Sequence, residues 1–209
     1  KKVGHITLLE PSHKALNVAK KNLRETDNVS FINQSIESMN YKENTFDFVF
    51  SLGVLHHIKD IKVGLQNINK ILKKDSPFLI YIYYNLENKN MFYRIVWKIT
   101  DIIRKIISYM PLKIKKVICY LIALFVYFPL AKFNLLLKVL KISTFNIPLA
   151  EYSQATFYNM KVDSLDRFGT KIENRYSKKE MKELLINSGF KNIKFSDKAP
   201  YWHAIAFKK

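Results

Sequence analysis

The 209-residue chain predicts an open α/β sheet, mostly parallel, with a helical insertion before its last strands. Three observations predict it. Short apolar runs alternate with helix-period segments from Ile6 to Tyr83. The middle of the chain concentrates both its hydrophobicity and its positive charge. Its end returns to a capped helix followed by strand-like runs. The composition agrees: 48% apolar and 25% charged residues can build a core and argue against disorder.

The elements follow in order. Ile6-Thr7-Leu8-Leu9-Glu10 is a buried strand that ends in an acid. Pro11-Ser12 breaks it, and Ser12 can cap a helix running to about Leu23, with Ala15, Leu16, Ala19 and Leu23 on one face. Val29 to Ile32 is a second strand. Thr45 to Leu52 is a third, apolar almost throughout, as in a parallel strand covered on both faces. Ile61 to Leu72 turns Ile61, Leu65, Ile68, Ile71 and Leu72 inward as a helix, and Phe78 to Tyr83 is a fourth strand. Near the end, Ser177-Lys178-Lys179-Glu180 is a capping box that opens a helix through Asn187, and Gly189 stops it. Ile193 to Phe195 and Tyr201 to Phe207 are strands around a turn at Ala199-Pro200.

Charge divides the chain. Lys1 to Asn88 holds 12 cations and 9 anions, Lys89 to Pro148 holds 11 and 1, and Leu149 to Lys209 holds 12 and 7. More than half of the net +18 therefore sits in the greasy middle. Thirty of the 35 cations are Lys, whereas a phosphate-reading surface leans on the planar fork of Arg. With no RNA-binding motif, nucleic acid is not the expected partner. The single cysteine, Cys119, excludes a disulfide framework or a cysteine-based zinc site and suits a reducing compartment. No metal site is expected. The expected location is cytoplasmic, at the inner face of a membrane if the basic middle touches one.

Two segments at strand ends carry chemistry. Glu10 ends a strand where acids of doubly wound sheets accept hydrogen bonds from ribose hydroxyls, although an acid before a turn can also be plain surface. Ser51-Leu52-Gly53-Val54-Leu55-His56-His57 follows a buried strand. Gly53 lets a ligand approach the backbone, and a histidine there can act as a base, cap or packing group.

Leu8-Leu9-Glu10-Pro11-Ser12, Gln34-Ser35-Ile36-Glu37 and Phe46-Asp47-Phe48-Val49-Phe50-Ser51-Leu52-Gly53-Val54-Leu55-His56-His57-Ile58, in that order and spacing, resemble the class I S-adenosylmethionine-dependent methyltransferases of the broad type 11 group. Leu72-Lys73-Lys74-Asp75-Ser76-Pro77 is similar to the turn before their next strand. The resemblance covers roughly residues 3–85 and implies a Rossmann-like sheet closed by a C-terminal antiparallel hairpin. It implies that Glu10 binds the cofactor's ribose, with Pro11 and Ser12 lining the adenine side and Ser35 and Ile36 beside the adenine edge. Many relatives carry Asp where Ser35 stands. It further implies that Ser51, Leu52 and Gly53 border the methionine portion, with His56 near the acceptor's entrance and His57 next to it as catalytic candidates. A nicotinamide reductase also uses an acid after a strand, but the Leu-His-His segment has no role there.

The resemblance also has a gap. Family members begin with a strand and a Gly-rich loop about twenty residues before the acid. Only nine residues precede Glu10, and they hold one glycine, Gly4. The expectation is a C-terminal portion of a longer protein, whose sheet lacks a central strand and which binds cofactor weakly or not at all.

The domain reading is a partial cofactor-binding core at 1–88, a basic amphipathic insertion or lid at 89–150, and the rest of the core with a substrate-side loop at 151–209. Phe92, Ile95, Val96, Ile99, Ile102, Ile103, Ile106 and Ile107 form one helical stripe, opposite Arg94, Lys98, Asp101, Arg104 and Lys105. The apolar run from Val117 to Leu130, with Pro129 inside, falls short of the roughly 20 residues a spanning helix needs. Residues 92–142 are therefore expected to form a lid that packs its apolar faces inward, or one that also rests on an anionic membrane surface and admits a lipid-like acceptor. Asp166, Arg167, Arg175 and Tyr176 belong to a polar stretch, weakly similar to bacterial methyltransferases near surface-polysaccharide genes. They either position an acceptor or form an internal ion-pair network. The function implied is methyl transfer from S-adenosylmethionine to a small-molecule, glycan or lipid-linked acceptor. The alternative is a non-catalytic membrane-surface or partner-binding module derived from such an enzyme.

Overall fold

The computed structural model describes residues 3–198 and 202–209. The expected turn at Ala199-Pro200, and Tyr201, lie outside the described residues. The chain separates into a sheet unit, residues 1–84 with 178–209, and a helical unit, 85–177. Residues 151–177, read above with the core, thus fall with the helices.

The sheet unit starts with β1 (Ile6–Leu9), α1 (His13–Asn22) and β2 (Val29–Ile32). Ser12 caps α1, accepting the Ala15 N–H at 3.3 Å, and Leu16 is buried beneath it. β3 (Val49–Leu52), α2 (Ile61–Ile71) and β4 (Pro77–Tyr81) come next. Asp60 caps α2 by accepting N–H groups of Lys62 and Val63 at 2.9 and 3.1 Å. Leu65 and Ile68 on its inner face are 1% exposed.

Two sheets form from these strands, not one. β1 pairs in parallel with β2 alone. The second sheet runs β3-β4-β6-β5, parallel between β3 and β4 and antiparallel beyond, where β5 is Phe190–Phe195 and β6 is His203–Lys208. Among the described residues β1 and β2 are the edges of the first sheet, and β3 and β5 those of the second. β3 is also covered on one face only. Val49 and Ser51 are half-buried, whereas Phe48, Phe50, Leu52 and Val54 are exposed, because no described element packs on that side.

Behind β4 the core is dense. Phe78 and Ile80 are fully buried, and Phe78 stacks on Phe190. Gly189, at φ +88°, lets the chain turn from α7 (Lys178–Asn187) into β5, and its carbonyl accepts the Asn69 side-chain N–H at 2.9 Å. The Lys208 ammonium donates to Leu72 O at 2.8 Å and to Asn44 Oδ1 at 2.9 Å, tying the end of β6 to the end of α2.

The helical unit contains α3 (Met91–Ser108), α4 (Leu112–Ile122), α5 (Phe128–Val139) and α6 (Phe157–Gly169). A π-helical turn, Ala123–Tyr127, joins α4 to α5. Leu112–Val139 is thus one 28-residue rod, longer than the run read from sequence and, by length and composition, enough to cross a membrane. Pro129 does not end it, since the widened turn before a proline accommodates its missing N–H. Cys119, Ala123, Tyr127, Ala131 and Asn134 make the rod's buried stripe. Asn134 donates to Leu130 O at 2.8 Å and Pro148 O at 3.1 Å, and Ser164 of α6 donates to Cys119 O at 2.9 Å. The Tyr127 and Tyr152 rings meet edge to face at 5.2 Å, and burial pushes both phenols well above their ordinary pKa.

The orientation of α3 departs from the sequence reading. Asp101 and Arg104 of its polar side pack into the helical unit, while Arg94, Lys98 and Lys105 and most of its isoleucine stripe are exposed. Arg104, 3% exposed, donates to Asp101 at 2.7 Å and to Thr170 O at 2.8 Å, and Arg167 of α6 donates to Thr100 at 3.2 Å. The Lys115 ammonium donates to Ser108 O and Gly169 O, both at 3.0 Å, and so caps the carboxyl ends of α3 and α6 together.

Burial works to raise the pKa of Asp101, but hydrogen bonds and charge from Arg104 and Lys105 outweigh it and hold the carboxyl below its ordinary range. Its contribution is therefore present at neutral pH and is lost as pH falls through the lowered value. Asp101→Asn leaves a buried guanidinium without its counter-charge and should destabilise the unit by about 3 kcal/mol. Urea melts of the two proteins at neutral and acid pH check this: the difference should shrink as the pH drops below the ordinary carboxylate range.

Candidate functional site

Glu10 lies just past the carboxyl end of β1. Its N–H donates to Ile32 O of β2 at 3.0 Å, so the sheet ladder fixes its backbone. One carboxylate oxygen accepts the Ser12 N–H at 2.8 Å. The second makes no hydrogen bond to the described residues and is open to a ligand. Asn33 donates to the carbonyls of Glu10 and Pro11 at 2.8 and 3.0 Å, fixing the turn from below. An acid held at one oxygen and free at the other suits a pair of vicinal hydroxyls.

Ser35 and Ile36 follow β2. The Ser35 hydroxyl accepts the Glu37 N–H at 3.3 Å, and Ile36 O accepts the Asn67 side chain at 2.8 Å. Glu37 in turn accepts the Asp60 N–H at 3.0 Å. Asn67 and Glu37 thus anchor this loop to α2. Their role was not singled out in the sequence, because side-chain bonds to distant backbone leave no periodic signal.

Ser51 and Leu52 end β3, paired with Ile80 and Tyr81. Gly53 then takes φ +72°, and its N–H donates to Tyr81 O at 2.9 Å. A Cβ there would meet only the Tyr81 ring at 3.8 Å, so backbone conformation rather than space requires glycine. The chain continues into a single 3-10 turn, Leu55–His57.

That turn separates the two histidines. His56 is fully buried, its ring stacked on Tyr83 at a centroid distance of 3.7 Å. It does not reach solvent, which corrects its expected place at an entrance. His57 is half-buried beside it, 4.0 Å between ring centroids, and meets the edge of Tyr83 at 5.9 Å. Aromatic packing by Tyr83, two residues past β4, therefore fixes both rings, but only His57 offers a surface.

The other candidates, Asp166, Arg167, Arg175 and Tyr176, belong to the helical unit. Asp166 and Arg167 lie on α6 rather than on a loop, and Asp166 is exposed. Arg175 pairs with Glu173 at 2.8 Å, and its guanidinium lies over the Trp97 ring at 4.8 Å. Arg167 reaches Thr100, as described above. Both arginines are engaged within their own unit. A cavity of about 200 Å³ opens elsewhere in the sheet unit, lined by Tyr41, Glu43, Asn67 and Lys70 among others, and none of the cofactor candidates lines it. Among the described residues no cluster of His, Cys, Asp and Glu could hold a metal.

Residues 1–80 match the family described as a methyltransferase domain. No curated protein matches the chain. Solved structures do. A candidate O-methyltransferase from Nostoc punctiforme is 15% identical at a TM-score of 0.52, over 98% of this chain and 45% of its own. The methyltransferase (CMeT) domain of the citrinin polyketide synthase is 10% identical at 0.52, over 97% and 38%. The N-methyltransferase NodS from Bradyrhizobium japonicum, solved with S-adenosylhomocysteine, is 17% identical at 0.37, over 39% and 42%. The first two likenesses show that the fold is methyltransferase-like. The chain spans between 29% and 53% of the length of the first structures it resembles.

Because Tyr83 holds a fully buried His56, truncating that ring empties a packed site. His56→Ala should cost about 2–4 kcal/mol of stability, in the range of large-to-small core changes. His57→Ala, at a half-exposed ring, should cost less than about 1 kcal/mol. Thermal melts of both variants compare the two positions directly.

Proposed function

We propose that this protein, whose residues 1–80 match a methyltransferase domain, transfers a methyl group from S-adenosylmethionine to a small-molecule, glycan or lipid-linked acceptor. One observation carries the reading: the Glu10 carboxylate at the end of β1, held at one oxygen by Ser12 and open at the other. That geometry fits the ribose of the cofactor. Ser35 and Ile36 would lie along the adenine, and Ser51, Leu52 and Gly53 along the methionine portion.

The bound cofactor supplies an electrophilic methyl on a sulfonium. What this chain adds is position. Orienting the acceptor in line with that methyl converts a bimolecular encounter into an intramolecular one, which supports much of the rate by itself. His57 is the group here that can take a proton from the acceptor; His56 positions it from beneath, together with Tyr83. The location proposed is cytoplasmic, at the inner face of a membrane.

Calorimetric titration of S-adenosylhomocysteine tests the cofactor assignment. Binding should weaken at least about tenfold in Glu10→Ala, since a charge-assisted hydrogen bond contributes about 1.5–3 kcal/mol. His57→Ala should leave that affinity unchanged and lower methyl transfer by about 10²-fold or more. Equal loss of affinity in both variants would remove the division of roles. Binding by wild type and Glu10→Ala alike would remove the ribose assignment.

A further inference from the structure

Helix α3 is built with an ion pair inward. Asp101 and Arg104 pack into the helical unit, while Phe92, Ile95, Ile99, Ile102, Ile103 and Ile106 stand 43–66% exposed on one arc of the helix. Water does not stabilise such a face, and an ordinary surface helix turns it to the core. Here the buried ion pair and the Thr170 and Thr100 contacts prevent that rotation. The isoleucines remain outside because the other side is already committed.

The same outer half carries charge. Arg94, Lys98 and Lys105 are exposed and lie on the adjoining arc, between the apolar arc and the inward side. Across Lys89 to Pro148 there are 11 cations and a single anion, Asp101, which Arg104 and Lys105 already neutralise. An apolar arc edged by cations matches acyl chains edged by anionic headgroups. A protein partner of ordinary composition has no reason to meet so one-sided a field. The rod Leu112–Val139 is not the anchor proposed. Its Cys119-to-Asn134 stripe, with a hydrogen-bonded asparagine, is already packed in protein.

We infer that α3 docks the protein onto an anionic lipid bilayer, lying in the interface with its isoleucine arc among the acyl chains and Arg94, Lys98 and Lys105 against the headgroups. This goes beyond methyl transfer and does not depend on it.

Vesicle co-sedimentation of the full chain tests the inference. Phosphatidylcholine vesicles with about 30% phosphatidylglycerol should retain the protein, and pure phosphatidylcholine should retain at least about tenfold less. Raising salt from about 0.1 to about 0.5 M should release most of it, because screening shortens the reach of the lysines. Ile99→Glu/Ile102→Glu should reduce retention about tenfold or more with an unchanged melting temperature, since both side chains are already in water. Arg94→Glu/Lys98→Glu should remove the preference for anionic vesicles. The inference is overturned if anionic vesicles do not retain the wild type, or if Ile99→Glu/Ile102→Glu sediments as wild type does. It is equally overturned if sedimentation velocity shows a dimer that the isoleucine variant dissolves while vesicles bind neither protein, since a second copy then covers the arc.

Discussion

Both edges of β4 are taken, and the chemistry of the sheet unit depends on that constraint. On one side β4 holds β3 in parallel register, ending at Leu52 opposite Tyr81. On the other it holds β6 antiparallel, from Pro77 to Tyr81. The Tyr81 carbonyl then receives the Gly53 N–H, and Tyr83, two residues on, packs the His56 and His57 rings. The turn after β3 is thus shaped by one central strand, whose own Phe78 and Ile80 are fully buried. Glu10 depends on a separate ladder, the pairing of β1 with β2. The two candidate segments are held by two sheets, and backbone pairing among the described residues does not join them.

Much of this was legible in the sequence, and for physical reasons. Helices with a clear inner face, such as α2, and caps such as Ser12 leave local signals, and the structure follows them. The order of acid, loop and Gly53-to-His57 segment carries the resemblance to the methyltransferase domain that residues 1–80 match. Three features were not legible. Periodicity shows that α3 has an apolar and a polar side, but not that Asp101 and Arg104 of the polar one are turned inward, because that depends on Thr170, a residue 66 positions from Arg104. Pro129 suggested a break, and a π-helical turn removed it. Helix α6 looked like a polar loop, since its inward residues, Met160, Ser164 and Phe168, include a serine whose partner is a carbonyl on α4. The two histidines differ for the same reason: adjacency in sequence says nothing about which ring a tyrosine beyond the end of β4 will cover.

Exposed apolar surface occurs in both units, and the two cases have different causes. On β3, Phe48, Phe50, Leu52 and Val54 are bare because one face of an edge strand has no described neighbour. On α3 the isoleucines are bare although the helix is well packed, because an ion pair determines which way it faces. A buried charge pair is a poor source of net stability but a strong source of orientation, since the wrong rotation would strand a guanidinium. Selecting one orientation, and not strengthening the fold, is the part Arg104 plays.

The Asn85 N–H donates to Tyr176 O at 3.0 Å, so the two ends of the helical unit meet. Between them run ninety residues of a unit that leaves the sheet unit after Tyr84 and returns at Lys178. A segment whose ends touch replaces what could be a tight turn. The host chain does not have to stretch or reroute to carry it, and each part can vary in length or sequence with little demand on the other. The architecture is therefore that of a cassette. A sheet of this kind can acquire, lose or exchange its entire helical appendage at one junction, and with it the company the protein keeps, without restringing a single strand.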